Sequence, residues 1–306
     1  MIFALDERGW GIGKASAAEW IESLELTLDL IDELIERGHH LAYPDTFFSQ
    51  PILLDHTLYD LYSPTSSIEI PADVRDRLAA IFSRAARLED LFVCPQDINV
   101  DFGFGPERAE TIAWAASKYL HEHEITPCIS RAGKDYCNAI YGGQKVPIWL
   151  VDSAQMIEGF FRWLIIHTTH SPGEMAQLLS EAFKELEFVE GAVDGIKTMS
   201  GSYSSLVQKI VHDLGFLSDE GARIFSKSWQ DAAGEFGAGN VTISDENGNT
   251  KQNRRAKKKR TIKYAGADRL FWWHIKLQPH QNRIHIYPDN VSVGGKIVVG
   301  IFCHHL

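Results

Sequence analysis

Hydrophobic positions along this chain recur at two different periods, and the change from one to the other divides it. Between residues 17 and 37, Trp20, Leu24, Leu28, Ile31 and Ile35 return every three or four positions, the spacing that lines one face of a helix. Ser16 supplies an N-cap and Gly38 a stop, so the spacing predicts a helix with both ends marked. The same period predicts a helix opening at Pro71 and running through Val74, Leu78, Ile81 and Leu88. Residues 106–124 follow as another, their early acids and late lysine and histidines matching the helix dipole. A strongly apolar helix over 152–168 carries Met156, Phe160, Trp163, Leu164 and Ile166. Ser171-Pro172-Gly173-Glu174 opens a helix that continues to residue 186, and two more fit 204–214 and 218–233. Short β-prone runs at 91–101, 125–129 and 146–151 interrupt this helical texture.

After residue 268 the period falls to two, as in strands, where successive side chains point to opposite faces. Phe271, Trp273, Ile275 and Leu277 alternate with Trp272, His274 and Lys276, and Arg283, His285 and Tyr287 alternate with Ile284 and Ile286. In a third run Ile297, Val299, Ile301 and Cys303 alternate with Lys296, Val298, Phe302 and His304. The pattern predicts a three-stranded antiparallel meander with one apolar face and one cationic, histidine-bearing face. The fold class expected is therefore α+β: a predominantly helical N-terminal region with a few strands, then a C-terminal β-meander. The glycine cluster GEFGAGN and the change of texture after it place a domain boundary near residue 237. That gives a mostly helical regulatory or scaffold domain over 1–236 and a β-rich basic domain over 237–306.

Composition leaves this picture intact, since 44% hydrophobic and 23% charged residues are ordinary for a globular protein. Charge alters it. The formal net charge is −11, yet residues 251–263 (KQNRRAKKKRTIK) hold eight Lys or Arg and no acid. A concentrated basic segment on an acidic chain points to an anionic partner, RNA or DNA. Asn247-Gly248 between β-prone runs reads as a hairpin turn whose arm is this basic segment. Charges after five residues exclude a secretory leader, and no apolar window is long enough to span a bilayer, so a cytoplasmic protein without membrane contact is expected. Cys94, Cys128, Cys137 and Cys303 are irregularly spaced and read as reduced thiols. GWGIGK is not a phosphate loop, because Arg8 and Ala15 stand where glycine and Ser or Thr are required.

Alternation puts His274, Lys276, Arg283, His285 and His304 on one face, with His280 and His305 close by in sequence. Phosphodiester cleavage needs charge stabilisation of a crowded oxyanion and groups that move protons near neutral pH. His274 and His285 would act as acid and base, Lys276 and Arg283 would hold the phosphate, and His304 would orient or share proton transfer. Arg254, Arg255, Lys257, Lys258, Lys259, Arg260 and Lys263 would anchor the nucleic-acid backbone beside them. An exposed sheet face carrying polar residues is the plain alternative, against which stand five basic or imidazole groups without a carboxylate. A metal held by His274, His285 and His304 is the competing chemical account. Lys276 and Arg283 beside the ion, and the lack of HxH or HExxH spacing in the meander, weigh against it, so no metal and no cofactor are expected.

The strings WHIKLQPHQNRIHIYP and KIVVGIFCHHL resemble the C-terminal meander of small toxin nucleases of the RelE/ParE-like superfamily. They are also similar to the ends of bacterial proteins from phage-defence neighbourhoods. The resemblance covers about residues 260–306 and implies a metal-independent endoribonuclease module with His274, Lys276, Arg283 and His285 on the active strands. It further implies an antitoxin or defence-system partner. A nucleic-acid-binding or partner-binding subunit that does no chemistry is the second reading. This chain departs from the toxins in its length and in its acidity outside the basic segment.

Overall fold

A computed structural model describes residues 1–8, 10, 16–53, 56–61, 69–131 and 136–305. Most of the glycine-rich run GWGIGK and the head of the loop after Arg131 fall outside these residues. The chain forms two compact units, Met1–Met156 and Ile157–Leu306. It adopts the α+β class, with the expected antiparallel strands at the C-terminal end.

The first unit runs β1 (Ile2–Leu5), α1 (Ala17–Glu36), β2 (His40–Tyr43), α2 (Ala72–Phe82), β3 (Ala86–Arg87), β4 (Asn99–Asp101), β5 (Pro106–Arg108), α3 (Glu110–Glu122), β6 (Cys128–Ile129), β7 (Tyr136–Tyr141) and β8 (Gln144–Val151). One eight-stranded sheet results, ordered β3-β2-β1-β6-β8-β7-β4-β5. β3, β2, β1, β6 and β8 are parallel to their neighbours, and β7, β4 and β5 extend the sheet antiparallel. It is richer in strand than the hydrophobic pattern indicated. Most of its strands have only two to four residues, too few to show an alternation, and Phe3-Ala4-Leu5 and Cys128-Ile129 are buried on both faces.

Local chemistry explains the helix ends. Ser16 and Glu19 form a reciprocal capping box at the start of α1. The helix expected from Pro106 begins instead at Glu110, because Pro106–Arg108 pairs with β4 and the Glu7 carboxylate receives the first amides of α3. Trp114, Ile112, Val100, Val146 and Ile148 fill the core beneath it.

The second unit begins in α4 (Ala154–Thr168) and continues through β9 (Leu186–Phe188), α5 (Tyr203–Lys227), α6 (Ala232–Ala238), β10 (Ile243–Ser244), α7 (Gly248–Gln252), α8 (Arg254–Lys259), β11 (Thr261–Tyr264), β12 (Ala267–Leu270), β13 (Trp273–Gln278), β14 (Gln281–Tyr287) and β15 (Ile297–Cys303). Its main sheet is ordered β9-β15-β14-β13-β10, with β9 parallel to β15 and the other pairs antiparallel. β11 and β12 form a separate hairpin.

The two helices expected over 204–233 are one 25-residue helix up to Lys227. Gly215 does not end it, because the Arg162 guanidinium packs against that glycine while gripping Asp219 through both terminal nitrogens, at 2.7 and 2.6 Å. α5 lies on the apolar sheet face, Phe225 against Trp273 and Gly221 against Ile297. The compositional shift near residue 237 falls inside this unit, since β9 pairs with β15 across it.

Two corrections concern the functional face. The basic segment is helical: Asn247 caps α7 through the Thr250 amide, and Asn253 caps α8 through the amides of Arg255 and Ala256. Lys, Arg, Ala and Gln are good helix formers, and two asparagine caps outweigh the turn that Asn-Gly suggested. In β15 a register shift opposite His285/Ile286 leaves Gly300 as an extra residue. One added residue reverses every later position. Ile297, Val299 and Phe302 therefore share one face, and Val298, Ile301 and Cys303 share the other with Tyr287, His285 and Arg283.

Candidate functional site

Strand pairing assembles the site. His274 on β13 stands directly opposite His285 on β14, and Lys276 opposite Arg283, so four of the five expected residues share one face. The imidazole centroids are 5.1 Å apart. Ser244 on β10 faces His274 from the other side, its Oγ 3.2 Å from Nε2. The segment from β10 through α8 covers this face and encloses a cavity of about 670 Å³. Its walls include Glu246, Asn249, Asn253, Arg260, His274, Lys276, Arg283, His285 and His305.

His304 is not among them. The reversed phase of β15 sends it to the side of Asn282, where it is exposed and its Nε2 lies 3.3 Å from Gln281. His305 borders the cavity instead. Arg283 is on the expected face but is occupied: Nη1 donates to the carbonyls of Gln278 at 2.9 Å, Gln281 at 2.6 Å and Asn282 at 3.3 Å. It closes the β13–β14 turn, and burial lowers its pKa. Lys276 is half-buried, and its ammonium has no partner among the described residues.

Glu246 is the residue that the sequence reading missed. Arg260, 3% exposed, holds Glu246 Oε1 through Nε at 2.9 Å and Nη2 at 2.7 Å. Arg260 thus belongs to the cavity wall, while Arg254, Arg255, Lys257, Lys258 and Lys259 of α8, and Lys263 of β11, are exposed. A signal was present in SDENGNT, where Asp245-Glu246 are the acids nearest the basic segment and Asn247 announces a helix rather than a turn.

The histidines are held neutral. His285 is 1% exposed, and its Nδ1 lies 3.0 Å from the Phe271 carbonyl, so Nδ1 carries the proton and Nε2 a lone pair. That Nε2 has no hydrogen-bond partner among the described residues. Burial, then the neighbouring His274, Arg260 and Arg283, pull the His285 pKa down to about 3. Burial likewise lowers that of His274, opposed by Glu246, whose Oε1 is 3.7 Å from Nδ1. Both shifts favour the neutral imidazole at neutral pH, which weighs against the acid half of the expected acid–base pair. One ligand atom from each of Glu246, His274 and His285 lies within 4.8 Å of the others. Cys303, now on this face, has its thiol pKa raised to about 11 by burial and stays protonated.

A second pocket of about 330 Å³ shares Asp245 with the first. Trp229, Trp272, Trp273, Tyr287 and Arg269 line it, with the Arg269 guanidinium 5.6 Å from the Tyr287 ring centre.

The first unit has a carboxylate cluster of its own at the end of β1, where Asp6 is fully buried. Arg8 grips Asp6 through Nε at 3.0 Å and Nη2 at 2.9 Å. Glu7 receives the amides of Glu110 and Thr111. Burial, then the adjacent Asp6, raise the Glu7 pKa. Among the described residues of both units no helix is long and apolar enough to cross a membrane. Comparison with known proteins finds no family model, no curated protein and no solved structure that matches this chain.

Proposed function

We propose that the second unit binds the sugar–phosphate backbone of a nucleic acid and cleaves a phosphodiester bond over the β13–β14 face. The observation that carries this reading is the sequence of surfaces around one imidazole pair. Exposed cations of α8 adjoin a polar cavity bordered by Lys276, whose ammonium has no partner among the described residues, and an aromatic pocket adjoins that cavity. Arg254, Arg255, Lys257, Lys258 and Lys259 attract phosphates by charge, and Lys276 faces the reacting group. Trp229 and Trp272 offer ring faces on which a base can stack. The meander's resemblance to RelE/ParE-like toxins makes RNA the first substrate to try and an antitoxin or defence protein the first partner to seek.

The test is incubation of labelled RNA and DNA with wild type, His274→Ala, and a Lys257→Glu, Lys258→Glu, Lys259→Glu triple variant. Cleavage by wild type, loss in His274→Ala and a weaker salt dependence in the triple variant are expected. Absence of cleavage from every substrate, with binding intact, would leave the second reading, a subunit that binds without chemistry. Two observations favour that reading over a metal-free acid–base mechanism: both imidazoles are neutral, and Arg283 is committed to backbone carbonyls.

A further inference from the structure

We propose that Glu246, His274 and His285 form a binding site for one divalent transition-metal ion. Three observations converge on it. First, the three side chains come from separate elements, the segment after β10, β13 and β14, yet bring one ligand atom each within 4.8 Å of the others. Second, His285 Nε2 is a buried acceptor without a hydrogen-bond partner among the described residues, and an unsatisfied buried polar group is destabilising unless something meets it. Third, both outer supports of a metal site are present. The Phe271 carbonyl fixes the His285 tautomer so that Nε2 points its lone pair into the cavity, and Arg260 holds Glu246 by Oε1, leaving Oε2 without a hydrogen bond among the described residues.

His274 has the weakest present attachments, Ser244 at 3.2 Å and Trp272 at 3.4 Å, and exchanges one of them for the ion at little loss. Two imidazole nitrogens and one carboxylate oxygen suit zinc, manganese or iron(II) better than calcium or magnesium. Three protein ligands leave a coordination position open toward the cavity. Arg260, Lys276 and Arg283 repel the ion and weaken its binding, but they also attract the anionic phosphate that would take that open position.

The inference concerns the same cavity as the phosphodiester reading and rests on it only for the identity of the substrate, so it is tested without substrate. The full chain is stripped with EDTA, dialysed, and titrated with Co²⁺ while visible d–d absorption and equilibrium stoichiometry are recorded. One ion per chain is expected, with affinity falling about 100-fold in His285→Ala and in Glu246→Gln. Lys227→Ala, exposed at the end of α5, should leave it unchanged. Glu246→Gln keeps a hydrogen-bonding group for its neighbours, and far-ultraviolet circular dichroism checks that each variant is folded. Absence of stoichiometric binding, or equal binding in Glu246→Gln and wild type, would overturn the site. Cobalt binding without cleavage of any nucleic acid supports the site and removes the phosphodiester reading. Cleavage that persists in EDTA without cobalt binding does the reverse.

Discussion

Each unit holds a carboxylate-bearing cluster, and the two differ in what answers the charge. At the end of β1, Asp6 is matched by Arg8 and Glu7 by two amides at the head of α3, so the charges are spent on holding the unit together. Beneath α7 and α8, Glu246 is held through one oxygen, and His285 presents a buried nitrogen with no hydrogen-bond partner among the described residues. Saturated polar clusters stabilise, whereas an unsaturated one keeps a capacity for something that arrives from outside. The difference is what supports placing the proposed site in the second unit.

The largest expected effect tests that division. Glu7→Ala removes a charged acceptor from two amides and should lower the stability of the first unit by about 3 kcal/mol. Glu246→Gln, whose amide oxygen still accepts from Arg260, should cost the second unit less while lowering cobalt affinity about 100-fold. Hydrogen exchange resolved by unit reads both, and equal losses would break the comparison.

Next comes the support behind His285. Gly300 leaves room for the Phe271 ring: an added Cβ would lie 2.4 Å from it. Gly300→Ala should destabilise the second unit by about 1–3 kcal/mol. It should also weaken cobalt binding, because Phe271 carries the carbonyl that orients His285.

The clusters should also answer pH with opposite signs in metal-free protein. The Glu7 pKa is raised, so the stability it contributes is present below the ordinary carboxylate value of 4.5 and is lost as pH rises through the folded value. His285 is lowered to about 3, so its contribution is complete above 6.5 and declines as pH falls from 6.5 toward 3. Each slope is at most about 1.4 kcal/mol per pH unit. Thermal melts of Glu7→Gln and His285→Asn between pH 3 and 8 should each flatten one limb. The same limb flattened by both variants would contradict the assignment.

The smallest effect belongs to the basic rim. Asn253→Ala removes the cap of α8 and should destabilise that helix by about 1 kcal/mol. It should speed amide exchange there and lower RNA affinity a few-fold, leaving the first unit untouched.

Much of the site was legible in the sequence. Alternation in WHIKLQ and RIHIY put His274, Lys276, Arg283 and His285 on one face, as strand pairing requires, and Ser16 marked the start of α1. What escaped has physical causes. A residue inserted at Gly300 alters phase without altering composition, so His304 was assigned to the wrong face and Cys303 with it. Glu246 lies in no periodic stretch, and its position follows from tertiary packing of Arg260. The break expected between residues 214 and 218 is absent, and the Arg162–Asp219 pair that braces the helix there joins residues distant in sequence. Most of the first unit's strands have two to four residues, too few to show a period.

The irregularity in β15 also shows what the face can absorb. Deleting the single codon for Gly300 would restore strict alternation and leave Ile301 and Cys303 with the histidines and Phe302 toward α5, because the residue removed is the one that the pairing skips. Loss of that residue in a lineage would therefore straighten the strand without exchanging the side chains on its two faces.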